Sequence, residues 1–212
     1  MTPIPDLTKK SVHPDMLAEK ALEDPELLQA LLRGISPGEK KQALRENCSQ
    51  AILQMAEQWS EMLLPHWDYL VGLLKSSNGF SKYVAIHVIE HLVPLDKAGL
   101  FEKAFNVFYG LLDDESVMVA SHAAGVSGSI AKAKPALQTK ITKRLLDIGK
   151  THFEPGRQDL IKSYIIEAFS LYVDESRDKA KIIEFVRQQL NASSPKTRKL
   201  AKEFLKKWDT TS

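Results

Sequence analysis

A chain of 212 residues, 43% hydrophobic and 26% charged, is long enough for one elongated domain or one large globule, and this composition excludes a largely disordered polypeptide. Its 29 basic and 27 acidic residues leave a formal net charge of +2, so bulk charge argues for neither a nucleic-acid binder nor an acidic partner, and any such claim must rest on local charge. The single cysteine, Cys48, excludes an internal disulfide.

Residues 1–14 carry three prolines and no periodicity, and they lack the apolar stretch of a secretory signal, so they read as an N-terminal tail lying along the first helices. From Asp15 the pattern predicts a short helix. Asp24-Pro25 caps a second one, with Leu27, Leu28, Leu31, Leu32 and Ile35 on one face. Ser36-Pro37-Gly38-Glu39 has the form of a capping box with proline at the first helical position, and it predicts a long helix to about Trp59. The apolar stripe of that helix includes Ala43, Leu44, Cys48, Ala51, Ile52 and Met55, which predicts a buried, inert thiol and fits a reducing cytoplasm. Pro65 opens another helix through Leu74, and Asn78-Gly79 ends that pair.

The next pair runs from Ser81 to Val93 and from Asp96 to Leu112. Its second member carries Leu100, Phe101, Ala104, Phe105, Phe108, Leu111 and Leu112 at helical spacing. Asp113 or Asp114 then caps a helix with Val117, Ala120, Ala124, Val126 and Ile130, and Lys134-Pro135 closes it and opens a partner with Leu137, Ile141, Leu145 and Ile148. Glu154-Pro155 starts a helix that places Leu160, Ile161, Tyr164, Ile165, Ala168 and Phe169 inward. Asp174 or Ser176 caps a partner bearing Ala180, Ile183, Val186 and Leu190. Ser194-Pro195 begins the closing helix with Leu200, Ala201, Phe204, Leu205 and Trp208, and residues 209–212 form a short tail. Neither member of such a pair can bury its stripe alone, so neighbouring pairs must cover each other.

Helix starts near Ser36, Asn78, Asp113, Glu154 and Ser194 recur every roughly 35 to 45 residues, the period of two-helix solenoid repeats. The segments Asp113–Ile130 (DDESVMVASHAAGVSGSI) and Ser194–Trp208 (SPKTRKLAKEFLKKW) resemble the first helix of HEAT repeats, in the armadillo-like α-solenoid class. Arg198 matches the arginine of that family's pattern, whereas Met118 stands at the comparable place in the Asp113 repeat. The resemblance implies an all-α, right-handed superhelix over residues 15–208 as a single domain, acting by protein binding and without catalysis. It further implies that the second helix of each pair lines the concave face, which nominates Lys103, Asn106, Lys140, Lys143, Arg144, Lys181, Glu184 and Arg187 as contact residues.

Other motifs point elsewhere, and packing competes with each as an explanation. His87-Val88-Ile89-Glu90-His91 fits the H-x-x-E-H pattern of two zinc-binding histidines beside a general-base glutamate, but no third ligand stands on a comparably organised segment. His122 follows His87 by one repeat, so packing at a repeat boundary is the simpler reading, with no metal and no cofactor expected. Ala120, Ala124 and Gly128 fall four apart beside Ala123 and Gly125, and this small-residue face predicts a close helix approach; no strand precedes it, as a dinucleotide loop would require. Basic residues gather at Lys132, Lys134, Lys140, Lys143 and Arg144 and again from Lys196 to Lys207. A phosphate-binding ridge is the alternative there to a solvated face. Glycosylases acting on alkylated DNA bases also use HEAT-like repeats with a basic concave face, an aromatic platform and an acid, for which Trp67 with Asp68 is one neighbouring pair. A protein partner is favoured over nucleic acid, and no apolar run reaches the length of a membrane span.

Overall fold

A computed structural model describes residues 6–8 and 13–209. The described residues form helices and turns with no strand, as the periodicity predicts. In chain order the α-helices are α1 (Pro14–Ala21), α2 (Pro25–Gly34), α3 (Gln42–Gln58), α4 (Trp67–Leu74), α5 (Gly79–Leu92), α6 (Leu100–Gly110), α7 (Val117–Ala133), α8 (Gln138–Leu146), α9 (Pro155–Phe169), α10 (Lys179–Gln188) and α11 (Pro195–Trp208). Among the described residues no helix is long and apolar enough to cross a membrane. The chain packs as two compact units, Met1–Leu100 and Phe101–Ser212.

In the first unit α3 is central and packs on α1, α2 and α5, while α4 packs on α5. Leu31, Ile35, Cys48, Ile52, Met55 and Leu63 are fully buried there. α2 approaches α3 so closely that a methyl group on Gly34 would stand 2.3 Å from Cys48 Sγ. Burial, with the Glu39 carboxylate adding to it, pushes the Cys48 thiol up to about 12. Leu7 is also buried, and its carbonyl accepts from Asn47 Nδ2 at 2.9 Å, so this described part of the N-terminal segment lies against α3. Pro3 and Pro5 of the predicted tail lie outside the described residues, and Pro14 is the first residue of α1.

Two boundaries differ from the sequence reading in this unit, at Ser36 and at Pro65. Ser36 to Glu39 is not a capping box: the Ser36 amide donates to the Arg33 carbonyl and finishes α2, while the Glu39 carboxylate accepts from the Lys41 amide. The long helix therefore starts at Gln42. Pro65 sits in a 3-10 turn, Leu64–His66, ahead of α4. Asn78 both ends its pair and caps α5, accepting from the Ser81 amide at 3.1 Å.

In the second unit the helices form two layers. α7, α9 and α11 pack side by side in one, and α6, α8 and α10 make the other. The small face of α7 explains the first layer: Ala120, Ala123 and Ala124 are fully buried, and a Cβ on Gly128 would stand 2.6 Å from the Ala168 carbonyl oxygen of α9. Backbone therefore meets backbone across α7 and α9. α6 supplies the aromatic core, with Phe101, Phe105 and Phe108 fully buried and Phe105 at 4.6 Å from the Tyr109 ring. Each such side chain contributes about 1.5–3 kcal/mol through burial. At the end of the chain, Trp208 packs on Phe204 and its indole N–H donates to Asp174 Oδ2 at 2.9 Å.

Several faces and caps here also depart from the expectation. Ser116, not Asp113 or Asp114, caps α7; Asp114 instead accepts from the Ser116 amide, and Asp113 accepts from the backbone and ring of His152. Neither Asp174 nor Ser176 caps α10, whose N-cap is Asp178. The buried stripe of α10 is Ile182 and Val186, with Ala180 exposed and Ile183 half-buried. Leu160 is 49% exposed, not inward, and Leu200 and Leu205 are half-buried.

Candidate binding face

The eight nominated residues all fall in the second unit, on α6, α8 and α10, and all are exposed. The inward positions decide this. Phe101, Ala104, Phe105 and Phe108 take the buried side of α6 and leave Lys103 and Asn106 outside; Ile141, Thr142 and Leu145 do the same for α8 and leave Lys140, Lys143 and Arg144. On α10, burial of Ile182 and Val186 leaves Lys181, Glu184 and Arg187 facing solvent.

Contacts between α6 and α8 run as rungs between two helices pointing the same way. Lys134 Nζ, at the turn before α8, lies 3.3 Å from the Glu102 carboxylate; Lys140 Nζ sits 4.0 Å from the Phe105 ring centroid; Arg144 Nη2 donates to Asn106 Oδ1 at 3.0 Å. Positions advance together along both helices. Asn106 and Arg144 are thus brought together, and Lys140 is seated on a ring that the sequence assigns to the core alone. The side chains of Lys103 and Lys143 make no hydrogen bond or ion pair among the described residues.

α10 is electrically different. Lys181 pairs with Asp178 at 2.8 Å, and Arg187 bridges Glu184 (2.9 Å) and Asp209 (2.7 Å). The Asp209 hydrogen bond, ahead of the other contributions, raises the Arg187 guanidinium above its ordinary value. Asp209 therefore anchors the start of the predicted C-terminal tail, the rest of which, residues 210–212, lies outside the described residues. Sequence spacing did not reveal Phe105, Asp178 or Asp209 as partners of this face. The repeat offset points to Phe105, 35 positions before Lys140, and i,i+3 helical spacing points to Asp178 beside Lys181, whereas no spacing rule points to Asp209.

His87 is half-buried on α5, its ring 4.8 Å from that of Tyr83 and its Nδ1 3.5 Å from Glu90. Among the described residues no group of three or more His, Cys, Asp or Glu side chains could hold a metal ion. Trp67 is buried on α4, so it offers no exposed platform for a base.

No family model matches the chain, and no curated protein matches it. Among solved structures, the chain is similar to the crystal structure of an engineered protein, at 17% identity and a TM-score of 0.55, over 99% of this chain and 98% of that one. That likeness speaks to the all-helical fold alone.

Proposed function

We propose that this chain is a non-catalytic scaffold of HEAT-like, right-handed superhelical form that holds a protein partner on the face made by α6, α8 and α10. One observation carries the reading: the second helices of successive pairs share a solvent-exposed face, knitted by Arg144 to Asn106 and by Lys140 to Phe105. The buried thiol of Cys48 agrees with action in the cytoplasm. The alternative, a nucleic-acid-binding protein related to alkylation-repair glycosylases, draws on the bases of α8.

Affinity capture from native cells with mass spectrometry tests the scaffold reading, using wild type against K140E/K143E/R144E. Loss of the principal partner with thermal unfolding nearly unchanged is expected, since exposed charges contribute little to stability. Unchanged capture would overturn it. Filter binding to DNA and RNA across several salt concentrations tests the alternative, which demands tight retention that falls steeply as salt rises.

A further inference from the structure

Within this face the charges are not distributed evenly. α6, α8 and α10 together carry seven basic residues and two acidic ones, but the bases of α10 are neutralised by carboxylates within 3.0 Å: Lys179 by Asp174, Lys181 by Asp178, and Arg187 by Glu184 and Asp209. α8 contains three bases and no acid, and none of the three forms an ion pair among the described residues. Two of them are nevertheless held in place, and by neutral groups: the Asn106 amide oxygen for Arg144 and the Phe105 ring for Lys140. A neutral seat orients a cation without cancelling its charge.

We infer that the α6–α8 part of the face binds a short acidic peptide segment in extended form, with carboxylates at alternate positions set against Lys140 and Arg144 and with Lys143 beside them. This deepens the scaffold reading and rests on it. The spacing fits: residues four apart on a helix are about 6 Å apart along its axis, and alternate residues of an extended chain are about 6.6 Å apart on one side. A guanidinium already turned by Asn106 offers its remaining N–H groups to a carboxylate, which it grips in fork geometry. A long phosphodiester chain fits less well. The aromatic ring under Lys140, Phe105, is only 1% exposed and so unable to stack a base.

Fluorescence anisotropy on the full chain provides the test. The probes are a labelled Gly/Ser peptide bearing glutamates at alternate positions, its glutamine counterpart, and a single-stranded oligonucleotide of similar charge. The glutamate peptide should bind wild type at least about tenfold more tightly than the glutamine peptide, and K140E/K143E/R144E should lose that difference. Asn106→Ala, which frees Arg144 without removing a charge, should weaken the glutamate peptide by about threefold and leave the melting temperature unchanged. Equal binding of the two peptides, equal binding by wild type and the triple variant, or tighter binding of the oligonucleotide at the same salt would each overturn the inference. If the peptide fails while the triple variant still loses its native partner, only the acidic segment is wrong and the scaffold reading stands.

Discussion

The side-chain hydroxyl of Thr197 donates to the backbone carbonyl of Asp159, so the third residue of α11 is tied to the first turns of α9. The first unit uses the same device, Ser81 at the third position of α5 donating to the Ile35 carbonyl at 2.8 Å. In both helices the N-cap side chain, Ser194 or Asn78, accepts the amide of that same residue. One residue thus fixes a helix start and a contact to an earlier helix. Thr197→Val keeps the shape but removes the hydroxyl's bond to a carbonyl inside α9, and it should cost about 0.5–1.5 kcal/mol, read as a lower urea midpoint at constant slope. A midpoint unchanged by Thr197→Val would show that the hydroxyl is dispensable.

Asp159 makes the same joint sensitive to acid. Burial works to raise its carboxyl, but Lys162 at 2.9 Å and the amide and hydroxyl of Ser193 at 2.7 and 2.8 Å outweigh that, and the group titrates below the usual carboxylate range. A folded value below the unfolded one, about 3.9, means the stabilisation is fully present above that pH and is lost as pH falls through the folded value. Asp159→Asn should therefore lower stability at neutral pH and flatten its decline below about pH 4. Urea melts of both proteins from pH 7 to pH 3 read this out, and parallel curves would count against it.

The α7–α9 contact predicts a steep dependence on side-chain volume. Gly128→Ala places a methyl against the Ala168 backbone, and Ala124→Leu overfills a fully buried site, so each should cost about 1–3 kcal/mol or more. Lys143→Leu, on the exposed side of α8, should shift the urea midpoint far less. Equal shifts for Ala124→Leu and Lys143→Leu would mean that the small stripe is no interface.

Cys48 should resist aromatic disulfide reagents in the native protein at pH 8, because its fully buried thiol titrates near 12 and little thiolate forms. One equivalent should react promptly in denaturant. Rapid native labelling at the denatured rate would show that the α2–α3 contact opens freely.

The sequence made helix existence legible almost throughout, because each apolar stripe kept a helical period and proline or glycine stood at the joints. Local signals failed where a distant partner competed for the same group. In Asp113-Asp114-Glu115-Ser116 every plausible cap was present, but Asp113 was claimed by His152 from the end of the next pair, and Ser116 did the capping. Leu160 has the spacing of a core residue on α9, yet it stays 49% exposed among the described residues. α10 shows how small an angular error matters, since shifting the inward stripe by one residue exchanges Ile183 for Ile182. For the candidate face, repeat geometry nominated the exposed positions; that α10 has its charge compensated while α8 does not depends on contacts such as Arg187 to Asp209, which no spacing rule contains.

Gly128 has a consequence for how this sequence can vary. The gap between α7 and α9 at that point is narrower than a methyl group, and one of its walls is the peptide backbone of Ala168, which has no rotamer with which to yield. Every other amino acid begins with a Cβ, so the position has no neutral neighbour in sequence space, and a lineage can change it only by first moving a helix. The exposed surface of α8, ten residues further along the chain, is under no such constraint.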